Sequence, residues 1–248
     1  MTVLAREYPN GWFIGPHCHK EGQFVHATSG VMEVRAERGL WLVPPGRAVW
    51  MPPRIVHELR ARGAVRLRTL YIEPDAIDVD LGNTPRGYAV TPLLRELIVR
   101  VVGSASDERD PSRLARLVAV LIDELAEAPP DEFSIRIPVD ARLERACKVI
   151  FEEQGRPRPI RELAAECGAS PRTLARLAND ELGCPLSVWR QQARILEAVP
   201  MLVAGESVMR TALALGYETP SAFAALFRRL LGINPSAFAA QRRKKTSS

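Results

Sequence analysis

The chain has no apolar run of about 18 residues, and its opening stretch, MTVLAREYPNGW, lacks the apolar core of an export signal. Both absences argue against membrane insertion and secretion, so a cytoplasmic location is expected. Cysteine is scarce, with only Cys18, Cys147, Cys167 and Cys184, no CxxC pair and no zinc-finger spacing. That pattern excludes a disulfide scaffold and a thiolate metal site, and it predicts free thiols in a reducing compartment. Acidic residues are also in short supply in one part of the chain. From Pro138 onward there are 17 Lys and Arg against 11 Asp and Glu, whereas the remainder is nearly balanced at 17 against 18. The positive charge therefore belongs to the C-terminal part and points to a polyanionic partner there.

What is present is the composition of a soluble globular protein, 46% hydrophobic and 25% charged over 248 residues, with room for two domains. Between Gly11 and Glu73, short β-branched and aromatic runs such as GQFVHATSG, VMEVRAERG and VRLRTLYIEP alternate with Gly and Pro. This spacing predicts a compact antiparallel sandwich or barrel. After Thr91 the period changes. Thr91 as N-cap and Pro92 at the first helical position open one helix, and Leu114, Leu117, Val118, Leu121, Ile122 and Leu125 form the apolar stripe of a second. The stripe serves either as packing against the β-domain or as a dimer seam. The loop GSASDERD joins the two helices, and the Pro-rich segment Ala128 to Pro138 marks a linker, with everything beyond it helical.

The basic half contains a duplication. IRELAAECGASPRTLARLANDELGCP and VMRTALALGYETPSAFAALFRRLLGINP align so that Ala164 and Ala212 each precede a glycine by four, Gly168 and Gly216. Ser170-Pro171 and Thr219-Pro220 follow, then Leu174 and Leu177 against Phe223 and Leu226, and a closing Gly183 or Gly232. A helix-turn-helix needs these residue types. A small residue lets two helices cross closely, glycine takes the left-handed turn, and Ser or Thr caps the second helix with Pro at its first position. Between the copies, PLSVWRQQARILEAVPMLVAG predicts a long helix that Pro200 kinks or restarts. VDARLERACKVIFEEQG predicts a leading helix.

Residues 140 to 241, and above all SVMRTALALGYETPSAFAALFRRLLGINPSAF, resemble the DNA-binding domain of the AraC/XylS family of bacterial transcription regulators. The resemblance implies seven helices with two helix-turn-helix units whose recognition helices enter successive major grooves of double-stranded operator DNA. On the first recognition helix, Arg172, Thr173 and Arg176 lie opposite Leu174 and Leu177. The two arginines either read guanine edges or pair with phosphates. On the second, the outward positions are Ser221, Ala222 and Ala225, short residues suited to thymine methyls and groove shape. At least one of Arg228 and Arg229 is expected to grip the backbone, the alternative being a solvated pair.

All four histidines, His17, His19, His26 and His57, lie in the N-terminal half. In extended chain, His17 and His19 share a face and Cys18 points away. His26 is out of phase with Gln23 and faces elsewhere. The order His17, His19, Gln23 and then a distant His57 resembles the cupin metal motif, over about residues 10 to 75, and many regulators of the AraC/XylS family carry such a barrel, often without metal. Two readings stay open: one divalent transition metal, Zn, Ni, Fe or Mn, held by His17, His19, Gln23 and His57, or hydrogen-bonded histidines lining a pocket for an organic effector. Phe24, Trp41 and Trp50 are candidate pocket walls, with plain core packing as their alternative.

These expectations combine into a multidomain α+β chain. Residues 1–128 form a cupin-like β-barrel with two flanking helices that senses a small molecule or metal and dimerises, 129–138 a linker, and 139–248 an all-α DNA-binding domain with two helix-turn-helix units. A homodimer is expected, RNA polymerase is a candidate partner, and no catalytic residues are assigned. The competing reading is a metal-dependent cupin enzyme fused to a DNA-binding module, and a third is an architectural DNA protein without an effector.

Overall fold

In the computed structural model the described residues are 1–73, 79–104, 111–131, 134–153 and 158–243. The loop at 105–110, residues 132–133 of the expected linker and the basic tail at 244–248 lie outside them. The chain divides into two compact units, Met1–Glu37 with Trp41–Ser134, and Arg38–Leu40 with Ile135–Ser248.

The first unit is built on two long antiparallel strands, β3 (Gly22–Ala36) and β6 (His57–Ile72), paired from Gly22↔Ile72 to Ala36↔His57. Register shifts on either side of Ser29 let so long a ribbon bend. Gly30 sits at the bend with φ 68°, and a Cβ there would lie 2.5 Å from the Ala64 carbonyl oxygen, so only glycine fits. The free edge of β6 carries β1 (Thr2–Tyr8) along one half and β2 (Phe13–His17) along the other. β4 (Gly39–Val43) and β5 (Arg47–Met51) pair with β3, and β7 (Arg86–Ala89) pairs with β5. β1 lies outside the span in which strands were expected.

The expected barrel does not close. β1 and β2 share one edge, and among the described residues no strand joins that edge to β4 or β7. A barrel requires such a closing pair. Helices cover one face of the sheet instead. Residues of one parity, Phe24, Ala48, Trp50, Leu70 and Ile72, pack with Leu94, Ile98 and Val101 of α1 (Pro92–Ser104) and Leu121 and Leu125 of α2 (Pro111–Ala126). The other parity, Val25, Val49, Met51, Leu59, Ala61 and Leu67, forms a second core with Met32, Val34 and Trp41. Burial on both faces explains why β3 begins with an unbroken run of buried residues.

Thr91 Oγ1 accepts from the Leu94 amide, as a cap should. In the α2 stripe, Leu121 and Leu125 are fully buried, whereas Leu114, Leu117, Val118 and Ile122 are half-buried. The centre of the stripe is therefore core packing. The expected linker is bonded into structure at both ends. Pro129 and Asp131 exchange backbone hydrogen bonds with Ala89 and Gly87, Asp131 pairs with Arg47 at 2.7 Å, and β8 occupies Ser134–Arg136.

In the second unit Ile137 donates to the Arg38 carbonyl, and seven α-helices follow among the described residues. α3 (Ala141–Glu152) is the leading helix, capped by Asp140. α4 (Ile160–Glu166) and α5 (Pro171–Leu177) form the first hairpin, α6 (Leu186–Ala204) is the long connector, α7 (Val208–Ala214) and α8 (Pro220–Leu231) form the second, and α9 (Pro235–Arg243) closes the unit. α6 runs past Pro200 as one helix rather than restarting there. The buried Trp189, Ile195, Leu196, Val199 and Leu202 hold it on both sides of the proline, which offsets the missing amide bond.

A duplicated helix-turn-helix and a histidine cluster

The two hairpins turn by the same hydrogen bonds. Ala169 N donates to Ala164 O at 2.9 Å and Gly168 N to Ala165 O at 3.1 Å; in the second copy Tyr217 N donates to Ala212 O at 3.0 Å and Gly216 N to Leu213 O at 3.0 Å. Gly168 (φ 68°) and Gly216 (φ 76°) are left-handed, as the paired 6→1 and 5→2 bonds of a Schellman turn demand. Ala164 and Ala212 are fully buried at the crossings. Ser170 and Thr219 accept from the amides of Thr173 and Ala222, capping the second helix of each copy. Leu174, Leu177, Phe223 and Leu226 face inward.

The outward faces differ as the sequence predicts. Arg172 is exposed, and Thr173 is half-buried with its hydroxyl 2.8 Å from Ser170 Oγ. Arg176 Nη1 donates to Asp180 Oδ2 at 3.0 Å, one helical turn further on. Beyond Leu177 the helix widens into a π-helical turn, Ala178–Leu182, ending at the left-handed Gly183. Asp180 lies in this turn and escaped the sequence reading, although its i+4 spacing from Arg176 is the signal for it. On α8, Ser221, Ala222 and Ala225 are exposed, and so are Arg228 and Arg229, with Arg229 Nη2 donating to Gln191 Oε1 at 3.0 Å.

In the first unit, strand pairing sets His17 opposite His57. His17, His19 and His57 come together, with one ring nitrogen from each within 4.8 Å of the others. Ring centroids stand 4.4 Å apart for His17 and His57 and 4.9 Å apart for His17 and His19. His17 Nδ1 donates to Gly15 O at 2.8 Å, and His57 Nδ1 to Ile55 O at 2.9 Å. A carbonyl oxygen only accepts, so in each neutral ring the proton sits on Nδ1 and Nε2 carries a lone pair. Gln23 Oε1 lies 2.9 Å from His57 Nε2, and Gln23 Nε2 donates to Tyr71 Oη at 3.2 Å. His19 Nε2 is buried without a hydrogen-bond partner. Tyr71, whose ring is 5.1 Å from that of His19, is a member of the cluster that the sequence reading missed. It shares the strand parity of His57, which was the available clue.

The surroundings of His19 and His57 disfavour their charged forms. Burial pushes His57 down to about 4, with the Ile55 hydrogen bond opposing and His17 and His19 adding to the shift. His19 is lowered by burial, then by His17, with Glu21 opposing. The arrangement fits a divalent ion on two observations: one ring nitrogen from each of His17, His19 and His57 lies within 4.8 Å of the others, and His19 Nε2 is buried without a hydrogen-bond partner. Adjacent ligands about 2.1 Å from a metal, near a right angle, are about 3 Å apart.

The other expected site residues do not assemble. Phe24 and Trp50 are register partners on the helix-covered face, whereas Trp41 packs in the opposite core, because alternation along the strands separates them. Trp50 does line a cleft of about 420 Å³, with Pro52, Ile72, Glu73, Asp80 and Asn83. His26 is fully buried, its Nδ1 2.8 Å from Arg47 O, and stands outside the histidine cluster. Cys18 is exposed, Cys147 and Cys167 are buried, and all four thiols are free.

The two units correspond to two known family descriptions, an AraC-like ligand binding domain over residues 1–146 and a helix-turn-helix domain over residues 163–241. The chain is 31% identical to the HTH-type transcriptional regulator NimR of Escherichia coli over 225 residues, covering 91% of this chain and 82% of that protein. It is 24% identical to the arabinose operon regulatory protein of the same organism over 221 residues, 79% of this chain and 72% of the relative. Among solved structures, ToxT of Vibrio cholerae with a bound unsaturated fatty acid aligns over 96% of this chain and 94% of its own at 12% identity, with a TM-score of 0.41. No helix among the described residues is long and apolar enough to cross a membrane. The chain belongs to the AraC family of transcription regulators, with an AraC-like ligand-binding domain followed by a helix-turn-helix DNA-binding domain.

Proposed function

We propose that the protein is a homodimeric, sequence-specific regulator in which the two recognition helices read unequally. The observation that carries this is the pair of hairpins with matching turns and caps but different outward faces, Arg172, Thr173 and Arg176 on α5 against Ser221, Ala222 and Ala225 on α8. Arg172 and Arg176 supply hydrogen-bond donors for guanine edges in one groove, and the short residues of α8 follow thymine methyls and groove width in the next. Arg228 and Arg229, in the last turn of α8, serve as phosphate contacts. Dimerisation uses the apolar residues of α2 that the core leaves uncovered, Val120 at 44% exposure beside the half-buried Leu117.

The signal enters at the first unit. His17, His19, Gln23 and His57 hold one divalent transition ion, which supplies Lewis acidity at that place when bound. Three imidazoles with an amide oxygen suit Zn, Ni, Fe or Mn. The ion is a signal, or the holder of one, rather than a catalyst, and it acts by favouring one of two states of the regulator with differential affinity. Turnover of a small molecule by the metal-loaded protein would restore the enzyme reading.

Selection of a binding site from random DNA by the full-length protein tests the DNA-reading role. The account predicts a site with a G-containing half and an A/T-shaped half about one helical turn apart. Equal affinity for selected and random DNA across a salt series would refute it.

A further inference from the structure

We propose that the donor set at His17, His19, Gln23 and His57 makes its ion a receptor for a small anion, a carboxylate or comparable oxyanion. This rests on the reading of those residues as a metal site. Three neutral imidazoles and a neutral amide leave a divalent ion its whole charge, which an open site satisfies by taking an anion. The members of the cluster differ in exposure. Gln23 and His57 are each 3% exposed, whereas His17 and His19 are half-buried, so a small molecule arrives over the His17 and His19 edge.

Tyr71 completes the receptor. Its oxygen accepts from Gln23 Nε2, which leaves its own proton to be donated to an anion beside His19. Gln23 thereby becomes a specificity residue. A glutamate in its place would halve the ion's net charge, holding the metal more tightly and the anion more weakly.

The test uses full-length, tag-free protein stripped of metal and loaded with Co(II), whose visible absorption reports its ligands. Acetate, oxalate and inorganic phosphate are titrated in, with acetamide as the neutral control. The expected result is a saturable spectral change with at least one anion and none with acetamide. Gln23→Glu should bind Co(II) more tightly and the anion about ten-fold more weakly or worse. Tyr71→Phe should still take up Co(II) and should bind the anion more weakly. If Co(II) binds and neither the anions nor acetamide alter its spectrum, or acetamide acts like acetate, the anion receptor is overturned and the metal site stands. Failure to take up Co(II) overturns both.

Discussion

His57 Nε2 and Gln23 Oε1 face one another across 2.9 Å, with the proton of His57 committed on the far side of the ring to the Ile55 carbonyl. Gln23 Oε1 only accepts, so this contact is satisfied by a proton on His57 Nε2, by a positive ion beside the pair, or by a turn of the amide that brings its nitrogen to His57 and its oxygen to Tyr71. The pair therefore separates an occupied from an unoccupied site by the orientation of a single side chain.

Metal addition follows directly. An ion at one hundred times its dissociation constant stabilises a one-site protein by about 2.7 kcal/mol, visible as a rise in Tm. His19 is the residue to remove, because its Nε2 makes no hydrogen bond in the fold. His19→Ala should leave the metal-free Tm nearly unchanged and abolish the rise. A Tm gain that survives in His19→Ala places the ion elsewhere.

The pH dependence of stability has a definite sign. His57 is held down to about 4 in the folded protein, chiefly by burial, against an ordinary value of 6.5. Between those values the unfolded chain binds the extra proton, so stability is lost as pH falls through that window. His57→Gln should flatten the dependence of Tm on pH between 6.5 and 4 in metal-free protein. An unchanged slope would show that other groups govern it.

Arg176 and Asp180 form an exposed ion pair at 3.0 Å, with side chains 65% and 57% exposed, worth little on its own. DNA can therefore capture the guanidinium cheaply. Arg176→Ala should weaken binding to the selected site by about 1–3 kcal/mol while affecting random DNA less. Equal losses on both would make Arg176 a phosphate contact. Asp180→Ala should strengthen binding to random DNA by removing a negative charge from the DNA-facing helix.

The duplicated caps predict parallel behaviour. Ser170→Ala and Thr219→Ala should each cost about 1 kcal/mol of stability by exposing helix N-termini. Chemical denaturation measures both, and a cost near zero at either position would deny that the second copy is held as the first is.

The α2 stripe separates core from interface. Leu121→Ala, at a fully buried position, should cost about 2–5 kcal/mol, whereas Val120→Glu should leave Tm nearly unchanged and dissociate the dimer. Sedimentation of Val120→Glu at dimer size would place the interface elsewhere.

The helical half was legible in the sequence because its determinants are local. Glycines at fixed offsets, caps and apolar spacing dictate each turn, and the structure reproduces them down to matched hydrogen bonds at Ala164 and Ala212. Pro200 was the exception, since buried neighbours on both sides carry α6 past it. The β-domain was legible only in part. Local alternation predicted that His17 and His19 share a face, but strand pairing across distant residues decides which aromatics meet. Phe24 and Trp50 fall in one core and Trp41 in the other for that reason, and Tyr71, though it shares the parity of His57, was missed because its place beside Gln23 is set by register. Barrel closure failed likewise, since no short stretch of sequence encodes which edges meet.

Footprinting of the full-length protein on its selected site is the most direct measurement of the central claim. Protection of two successive major grooves on one face of the DNA, with Arg176→Ala losing contact at a guanine in only one of them, is the predicted result. Uniform protection without sequence preference, or loss spread over both grooves in Arg176→Ala, would contradict it.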